Sequence, residues 1–352
     1  DEKEEPSPTT TTTHRHEEEK GEECSICLDL LPKDGTIFAR ATCCGKGMHK
    51  KCREDMIASK MSHEQKNRCV MCRTKYPPDT KEGNEESVQR LRRWAKRGKA
   101  WAQSMLGDRY REGNGVKKDE KRAIVLYNLA SEQGYANAQF NLGVMYREGR
   151  GVDKDEKHAV ELYTLAADQS HPKAQFNLGN MYADGRGVDK DEKRAVEFYT
   201  LAADQSHANA QYNLGLMYAN GQGVDKDEKR AEELLTLAAE QGHASAQYNL
   251  GIMYERGQGV DKDEKRAVEM YTLAADQSHP KAQFNLGCMY FNGKGVDRSL
   301  TIAREWWTKA ATQGHENAIN TLERLDKHEG RTTTPSSTVN SNTTFCSYCN
   351  KP

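Results

Sequence analysis

The sequence lacks long apolar runs and any excess of charge of one sign. Its mean hydropathy is −0.95, and no stretch of about 18 apolar residues occurs, so no membrane span is expected. No apolar signal segment stands at the start. The 352 residues carry a net charge of −1 with 30% charged residues, so no basic field favours general binding to nucleic acid or to a membrane surface.

Cysteine is scarce outside one short segment. Seven of the ten cysteines lie between Cys24 and Cys72. This clustering favours metal-held thiolates in a reducing compartment, and we expect a cytoplasmic or nuclear protein. Cys346 and Cys349 form an isolated C-x2-C pair, which cannot close a zinc site alone. We expect this pair to belong to an unused tail, and the alternative is a half-site that residues from elsewhere complete.

What the sequence does contain is a repeat of 36 residues in six copies. A Leu-Gly pair marks each copy, with the glycines at Gly107, Gly143, Gly179, Gly215, Gly251 and Gly287. Two apolar stripes with helical spacing flank a Gly-x-Gly-Val loop. In the second copy they are Ala138, Leu142, Met145 and Tyr146, then Ala159, Leu162, Tyr163 and Ala166. Each copy is therefore a predicted helical hairpin, and the array is a predicted α-solenoid of six hairpins.

Comparison of the six copies shows what one hairpin requires. The paired loop glycines predict positive φ angles. An Asp before the second helix, replaced by Ser299 in the sixth copy, predicts an N-cap. A small residue allows close helix approach at Ala123, Ala159, Ala195, Ala231, Ala267 and Ala303. Histidines recur at His171, His207, His243, His279 and His315, and we expect them to pack or cap a turn, because ligands one repeat apart could not share a metal ion.

This unit resembles the Sel-1-like repeat, a relative of the tetratricopeptide repeat. The resemblance is carried by Ala136 through Ala167 and covers about two thirds of the chain. It implies a curved superhelix that binds a protein in its concave groove, lined by the first helix of each copy. Ten positions on that helix differ between otherwise similar copies, so they are candidates for partner recognition, with neutral drift as the alternative: Val144, Asn180, Leu216, Ile252, Cys288, Arg147, Ala183, Ala219, Glu255 and Phe291.

Eight potential zinc ligands precede the repeats. They are Cys24, Cys27, Cys43, Cys44, His49, Cys52, Cys69 and Cys72. Eight ligands suffice for two tetrahedral Zn²⁺ ions, and three of the pairs have the x2 spacing that one tight turn can direct at one ion. The adjacent pair Cys43-Cys44 leaves a second interpretation open, in which one of the two cysteines is a bystander and the second site is imperfect.

The ligand cluster resembles a RING finger of the cross-brace type. The resemblance implies that Cys24, Cys27, His49 and Cys52 hold one zinc ion, and that Cys43, Cys44, Cys69 and Cys72 hold the other. It also implies contact with a ubiquitin-conjugating enzyme and ubiquitin through Ile26, Met56, Ile57 and Arg73. Three features depart from the family pattern: the adjacent pair Cys43-Cys44, His49 where the family commonly has Cys, and Val70 where many members carry Pro.

The predicted organisation is a mostly α chain with a small zinc-stabilised domain before the solenoid. We expect a disordered acidic and Thr-rich tail over 1–20, the RING-type domain over 21–76, a linker over 77–86, the solenoid with capping helices over 87–326, and a disordered tail over 327–352. The basic run from Arg90 to Lys99 is expected to be the polar face of the first capping helix rather than a nucleic-acid patch.

The leading functional hypothesis is a RING-type ubiquitin ligase without a catalytic residue of its own. The zinc domain would recruit a charged conjugating enzyme, and the solenoid would bind a substrate or an adaptor. The alternative is a zinc-binding scaffold for protein complexes that lacks ligase activity. A hydrolytic zinc enzyme is disfavoured, because catalytic zinc keeps an open coordination position whereas these Cys-rich quartets look closed.

Overall fold

The computed structural model describes residues 38–40, 47–49 and 80–329. Within these ranges the chain forms fourteen α-helices and one two-stranded antiparallel sheet. No helix among them has the length and apolar character needed to cross a bilayer. The chain divides into two compact units, Asp1–Lys118 and Asp119–Pro352.

The first unit contains a short hairpin and two helices. Strands β1 (Phe38–Arg40) and β2 (Gly47–His49) pair with Ala39 opposite Met48. Helix α1 spans Lys81–Lys96 and helix α2 spans Ala100–Glu112. Helix α1 begins inside the stretch 77–86 that the sequence assigns to a linker, because the Thr80 hydroxyl accepts the Gly83 N–H and caps it.

Helices α1 and α2 pack through apolar and basic side chains. Val88 and Leu91 are buried. Two members of the basic run serve this unit: Arg90 is buried beside Glu86, with 2.6 Å between Nη2 and Oε1, and the Arg92 guanidinium donates to the Tyr110 hydroxyl at 3.0 Å. The polar-face interpretation of the run is therefore wrong for Arg90, which the fold buries while its partner Glu86 stays exposed.

The second unit is a series of helical hairpins. We call the first helix of each copy its A helix and the second its B helix. The A helices are α4 (Ala136–Glu148), α6 (Pro172–Asp184), α8 (Ala208–Asn220), α10 (Ala244–Arg256) and α12 (Pro280–Asn292). The B helices are α3 (Glu120–Ser131), α5 (Glu156–Ala167), α7 (Glu192–Asp204), α9 (Glu228–Glu240), α11 (Glu264–Asp276) and α13 (Leu300–Thr312). Helix α14 (Glu316–His328) closes the series.

The features predicted for one hairpin are confirmed. The loop glycines have positive φ, as at Gly185 (68°) and Gly187 (70°). A Cβ at Gly187 would clash with the Glu156 carbonyl group of the preceding copy, so the loop needs glycine for space as well as for φ. The side chains before the B helices accept backbone N–H groups, including that of Ser299. The six repeated alanines are fully buried.

The A and B helices of each hairpin approach closely at the Leu-Gly glycine. A Cβ at Gly179 would lie 2.5 Å from two ring carbons of Tyr199, and Gly143 and Gly251 face Tyr163 and Tyr271 in the same way. Trp307 takes this place opposite Gly287, and Leu235 takes it opposite Gly215. The glycine therefore provides space for a large buried side chain from the B helix.

Successive hairpins are joined by buried glutamines. The Gln175 amide donates to the Ala167 carbonyl, in the last turn of the preceding B helix, at 3.3 Å, and its oxygen accepts from Gln205 at 2.7 Å. The same pair of bonds recurs at Gln211, Gln247 and Gln283. Each of these carbonyl groups also accepts a backbone N–H of the following turn, as Ala167 accepts that of Ser170 at 2.8 Å, so the glutamine adds a second bond that joins one hairpin to the next.

The repeated histidines cap helices α6, α8, α10, α12 and α14, as expected. Each Nδ1 accepts the N–H of the residue three positions on, at 3.2–3.3 Å, and each ring stacks on an aromatic ring of the preceding A helix at 4.5–5.1 Å. Burial is the main cause that lowers the pKa of His207, His243, His279 and His315. A neutral ring is required, because a protonated Nδ1 cannot accept a hydrogen bond.

The Gly179→Ala substitution is expected to destabilise the solenoid more than Gly215→Ala. The new methyl group would collide with the rigid Tyr199 ring, whereas Gly215 faces Leu235, which can change rotamer. We expect Gly179→Ala to cost about 1–3 kcal/mol and Gly215→Ala to be nearly neutral, since alanine favours helix by about 1 kcal/mol over glycine. Urea unfolding followed by circular dichroism measures both. Equal shifts of the two midpoints would contradict the close-approach argument.

Acidification is expected to destabilise the solenoid through the histidine caps. The unfolded chain binds protons more tightly than the folded one, because burial lowers the folded-state pKa. The contribution is therefore complete above the ordinary histidine pKa of about 6.5 and is lost as the pH falls from there to the lowered pKa of the folded state. In the triple variant His207→Asn/His243→Asn/His279→Asn, asparagine caps without titrating. Thermal melts at several pH values should show a shallower decline for this variant, and parallel declines would refute the assignment.

Candidate functional site

The ten positions that vary between copies lie together on the A helices of the second unit. We call them the variable face: Val144, Asn180, Leu216, Ile252, Cys288, Arg147, Ala183, Ala219, Glu255 and Phe291. Nine are half-buried and Cys288 is buried. Val144, Ile252 and Ala183 also pack against the hydrophobic clusters between hairpins. The variable face is therefore partly a surface and partly the edge of the core.

Buried tyrosine hydroxyls reach this face from the B helices. The Tyr199 hydroxyl donates to the Asn180 side-chain oxygen at 2.7 Å, and the Tyr271 hydroxyl donates to a Glu255 carboxylate oxygen at 2.8 Å. Burial is the main cause that raises the pKa of Tyr199 to about 12, so its hydroxyl stays a donor at neutral pH. These contacts from the B helices orient the side chains of Asn180 and Glu255.

The last copies add an aromatic and charged region. Phe291 lies 5.5 Å from the buried Trp307, between ring centroids, and the Arg298 guanidinium lies 5.6 Å from the Phe291 ring. Lys294 Nζ is 3.9 Å from a Glu255 carboxylate oxygen. Arg147, at the other end of the series, pairs with Glu148 at 2.8 Å. The same backbone arrangement therefore carries apolar, amide, acidic and basic side chains at equivalent positions of different copies.

Invariant asparagines one helical turn before the variable positions were missed by the sequence reasoning. They are Asn141, Asn177, Asn213, Asn249 and Asn285. Asn213 donates to the Asn180 oxygen at 3.2 Å, and Asn249 donates to the Tyr212 hydroxyl at 3.4 Å. Amide groups can both donate to and accept from a peptide backbone. The available signal was a polar residue kept at one A-helix position in five consecutive copies.

The predicted zinc ligands fall outside the described residues, apart from the backbone of His49 at the end of β2. The predicted contacts with the conjugating enzyme and ubiquitin, Ile26, Met56, Ile57 and Arg73, lie outside them as well. Across the portion that the structure does describe, no three Cys, His, Asp or Glu side chains converge as a metal site would require. Pairing of β1 with β2 brings together the chain on either side of Cys43 and Cys44.

Comparison with known proteins identifies the repeats. A family model described as Sel1 repeat matches six consecutive segments: 102–135, 136–171, 172–207, 208–243, 244–279 and 280–315. Each full segment starts at the first residue of an A helix and ends at the histidine that caps the next helix. No curated protein matches the chain.

Two solved structures are similar to a large part of the chain. A protective antigen present in uropathogenic Escherichia coli strains, described as displaying an SLR fold, is 36% identical with a TM-score of 0.67; the match covers 70% of this chain and 53% of that one. The chain thus spans about half the length of that relative. A Sel1 repeat protein from Oxalobacter formigenes is 33% identical with a TM-score of 0.59, covering 65% of this chain and 92% of its own. The helices of its second unit form an α-solenoid of the kind used for protein–protein interaction, and the chain belongs to the Sel1 repeat family.

Proposed function

We propose that the chain is a scaffold that binds a protein on its variable face and presents that protein to a zinc-binding ubiquitin-ligase module in residues 21–76. The observation that carries the first part is the position of the variable side chains. All ten lie on one helix of the hairpin, supported by a repeated frame of glycine, glutamine and histidine contacts.

Two properties of the variable face favour a protein partner over a small molecule. Its side chains are spread over five successive A helices, whereas a small ligand needs a concave site that encloses most of its surface. Its chemistry also changes from copy to copy, from Arg147 through Leu216 to Phe291. An extended surface with several separate contact types suits a polypeptide, which can engage each in turn.

The donor chemistry of residues 21–76 supports zinc as the cofactor. Seven cysteine thiols and one imidazole suit Zn²⁺, and eight donors match two closed tetrahedral sites. When bound, the two ions would supply folding energy to a segment that has few apolar residues to form a core. The β1–β2 hairpin, with Cys43 and Cys44 in its connection, fits such a compact arrangement.

The ligase role follows from the resemblance to the RING family. Ile26 would contact the conjugating enzyme, with Met56 and Ile57 beside it, and Arg73 would donate hydrogen bonds to both the enzyme and ubiquitin. No residue of this chain would act as acid, base or nucleophile. Acceleration would come from holding the charged enzyme near a lysine of the partner on the solenoid, which converts an encounter in solution into a local one.

Ubiquitin transfer is the test of the ligase part. The full chain should promote autoubiquitination with at least one member of a panel of charged conjugating enzymes. We expect Ile26→Ala to reduce the rate about tenfold or more, because it removes an apolar contact at the centre of the enzyme interface. Zinc content, measured by atomic emission, should stay at two ions per chain in Ile26→Ala and fall in Cys24→Ser.

The alternative, a scaffold without ligase activity, predicts no ubiquitin transfer in this assay. A chain that holds two zinc ions, promotes no transfer with any enzyme of the panel and causes no chemical-shift change in them would be such a scaffold. Transfer that persists unchanged in Ile26→Ala or Cys24→Ser would show that another segment or a contaminant carries the activity.

The scaffold part is tested at Arg147. The third and fourth copies carry Ala183 and Ala219 at the same position, so Arg147→Ala should fold normally, with a stability change of about 0.5 kcal/mol or less. Arginine is enriched among residues that dominate interface energy. We therefore expect affinity-purified full chain to retain its principal partner about tenfold less well in this variant. Unchanged retention would place the partner elsewhere.

A further inference from the structure

One buried tyrosine hydroxyl of the solenoid has no hydrogen-bond partner among the described residues. Tyr163, on helix α5 of the second copy, is fully buried, and nothing accepts from its hydroxyl. The hydroxyls of its counterparts Tyr199 and Tyr271 donate to Asn180 and Glu255. An unpaired buried hydroxyl costs free energy and is rare in folded proteins. The Tyr163 hydroxyl is therefore a donor for which the surrounding chain supplies no acceptor.

The sequence of the second copy explains why this acceptor is lacking. In place of Asn180 the second copy has Val144, which cannot accept a hydrogen bond and packs against the cluster that contains Tyr163. In place of Glu255 it has Arg147, whose guanidinium group only donates. Neither of the two positions that supply acceptors in other copies supplies one here.

The fifth copy shows how a carboxylate fits this place. One Glu255 carboxylate oxygen accepts from the Tyr271 hydroxyl at 2.8 Å, and the other lies 3.9 Å from Nζ of Lys294, in the loop of the next copy. The Glu255 side chain is 27% exposed. The tyrosine hydroxyl is thus within reach of an acidic group that is still partly in solvent. The fifth copy holds, with its own residue, the group that the second copy lacks.

Two guanidinium groups act on the equivalent place in the second copy. Arg186 occupies the loop position of Lys294, and Arg147 replaces the glutamate itself. Burial raises the pKa of Tyr163 to about 12, and the positive charges of Arg147 and Arg186 act in the opposite direction. The neighbouring Asn177 amide also lowers this pKa, but it lies outside hydrogen-bond geometry. At neutral pH the hydroxyl is consequently a donor in a positive field.

Both arginines can bind a further carboxylate beside their present acidic neighbours. Arg147 pairs with Glu148, and Arg186 pairs with Glu156. The four side chains are 23–44% exposed, so each pair contributes little to stability. A guanidinium group carries five N–H donors, of which one carboxylate engages at most two. Each arginine therefore keeps donors for a second anion.

We infer that the second copy binds an acidic side chain of the partner protein, whose carboxylate accepts from the Tyr163 hydroxyl and pairs with Arg147 and Arg186. We call these three residues the carboxylate subsite. Glutamate at the same place in the fifth copy favours a side-chain carboxylate as the ligand. The buried hydroxyl gains its acceptor only in the complex, so the contact rewards a partner that carries an acidic residue there. The inference rests on the proposed binding at the variable face and adds the chemical class of one contact.

A small defined probe tests the carboxylate subsite without the partner. The probe is N-acetyl-glutamate N-methylamide, titrated into the full chain with 13C-labelled valine methyl groups. The Val144 methyl resonances should shift saturably, with a dissociation constant on the order of 1 mM, and binding should weaken as salt increases. The glutamine analogue should cause no shift. N-acetylalanine, whose carboxylate is that of a chain end, should bind more weakly, and tighter binding of it would contradict a side-chain ligand.

Tyr163→Phe and Tyr199→Phe form a matched pair of variants. Because the Tyr163 hydroxyl has no partner, its removal should not lower the melting temperature, yet it should weaken probe binding about tenfold. Tyr199→Phe removes a hydroxyl that donates to Asn180. It should therefore lower the melting temperature by about 2–4 °C and leave probe binding unchanged. Arg147→Glu, which copies the fifth copy, should abolish probe binding because its own carboxylate fills the place.

Three results would overturn the inference. They are the absence of a saturable shift at Val144, equal weakening of probe binding by the two tyrosine variants, and an equal fall of their melting temperatures. The last would show that the Tyr163 hydroxyl has a partner in the free chain, such as an ordered water molecule. Saturable probe binding together with unchanged partner retention in Arg147→Ala would contradict the proposed function while supporting the carboxylate subsite, so the two failures are distinguishable.

Discussion

The close approach of the two helices at each Leu-Gly glycine is the constraint on which the hairpins depend. A side chain larger than hydrogen at Gly179 or Gly251 would occupy space that the Tyr199 or Tyr271 ring fills. That ring is buried, and its hydroxyl emerges among the variable positions of the A helix. A packing requirement within each hairpin thereby decides which polar groups lie beneath the variable face.

The contacts between hairpins extend this local rule into an array. Each buried glutamine donates to a carbonyl group at the end of the preceding B helix, and each repeated histidine caps the helix that follows it while stacking on the preceding A helix. These bonds are directional, so each copy is held in one orientation relative to its neighbour. Because the frame is repeated, the variable positions of the A helices can differ from copy to copy.

Much of the array could be predicted because its signals are local and repeated. Helical spacing, loop glycines and Asp N-caps depend on residues only a few positions apart. They are therefore visible when the six copies are compared. The start of α1 was missed, since its polar first turn carries no apolar period and depends on the cap at Thr80. The Tyr199–Asn180 bond and the Gln205–Gln175 bond join residues 19 and 30 positions apart, which no short-range pattern encodes. The zinc cluster, which lies outside the described residues apart from the backbone of His49, stays a prediction from donor type and spacing.

The central claim is that the A helices carry the partner-binding surface and that the repeated frame supports it. Hydrogen–deuterium exchange of the full chain, alone and with its copurified partner, tests this most directly. The account predicts that slowed exchange on binding concentrates in the A helices α4, α6, α8, α10 and α12, at the turns that carry the variable positions. Protection confined to residues outside the solenoid, with unchanged exchange in those five helices, would contradict it.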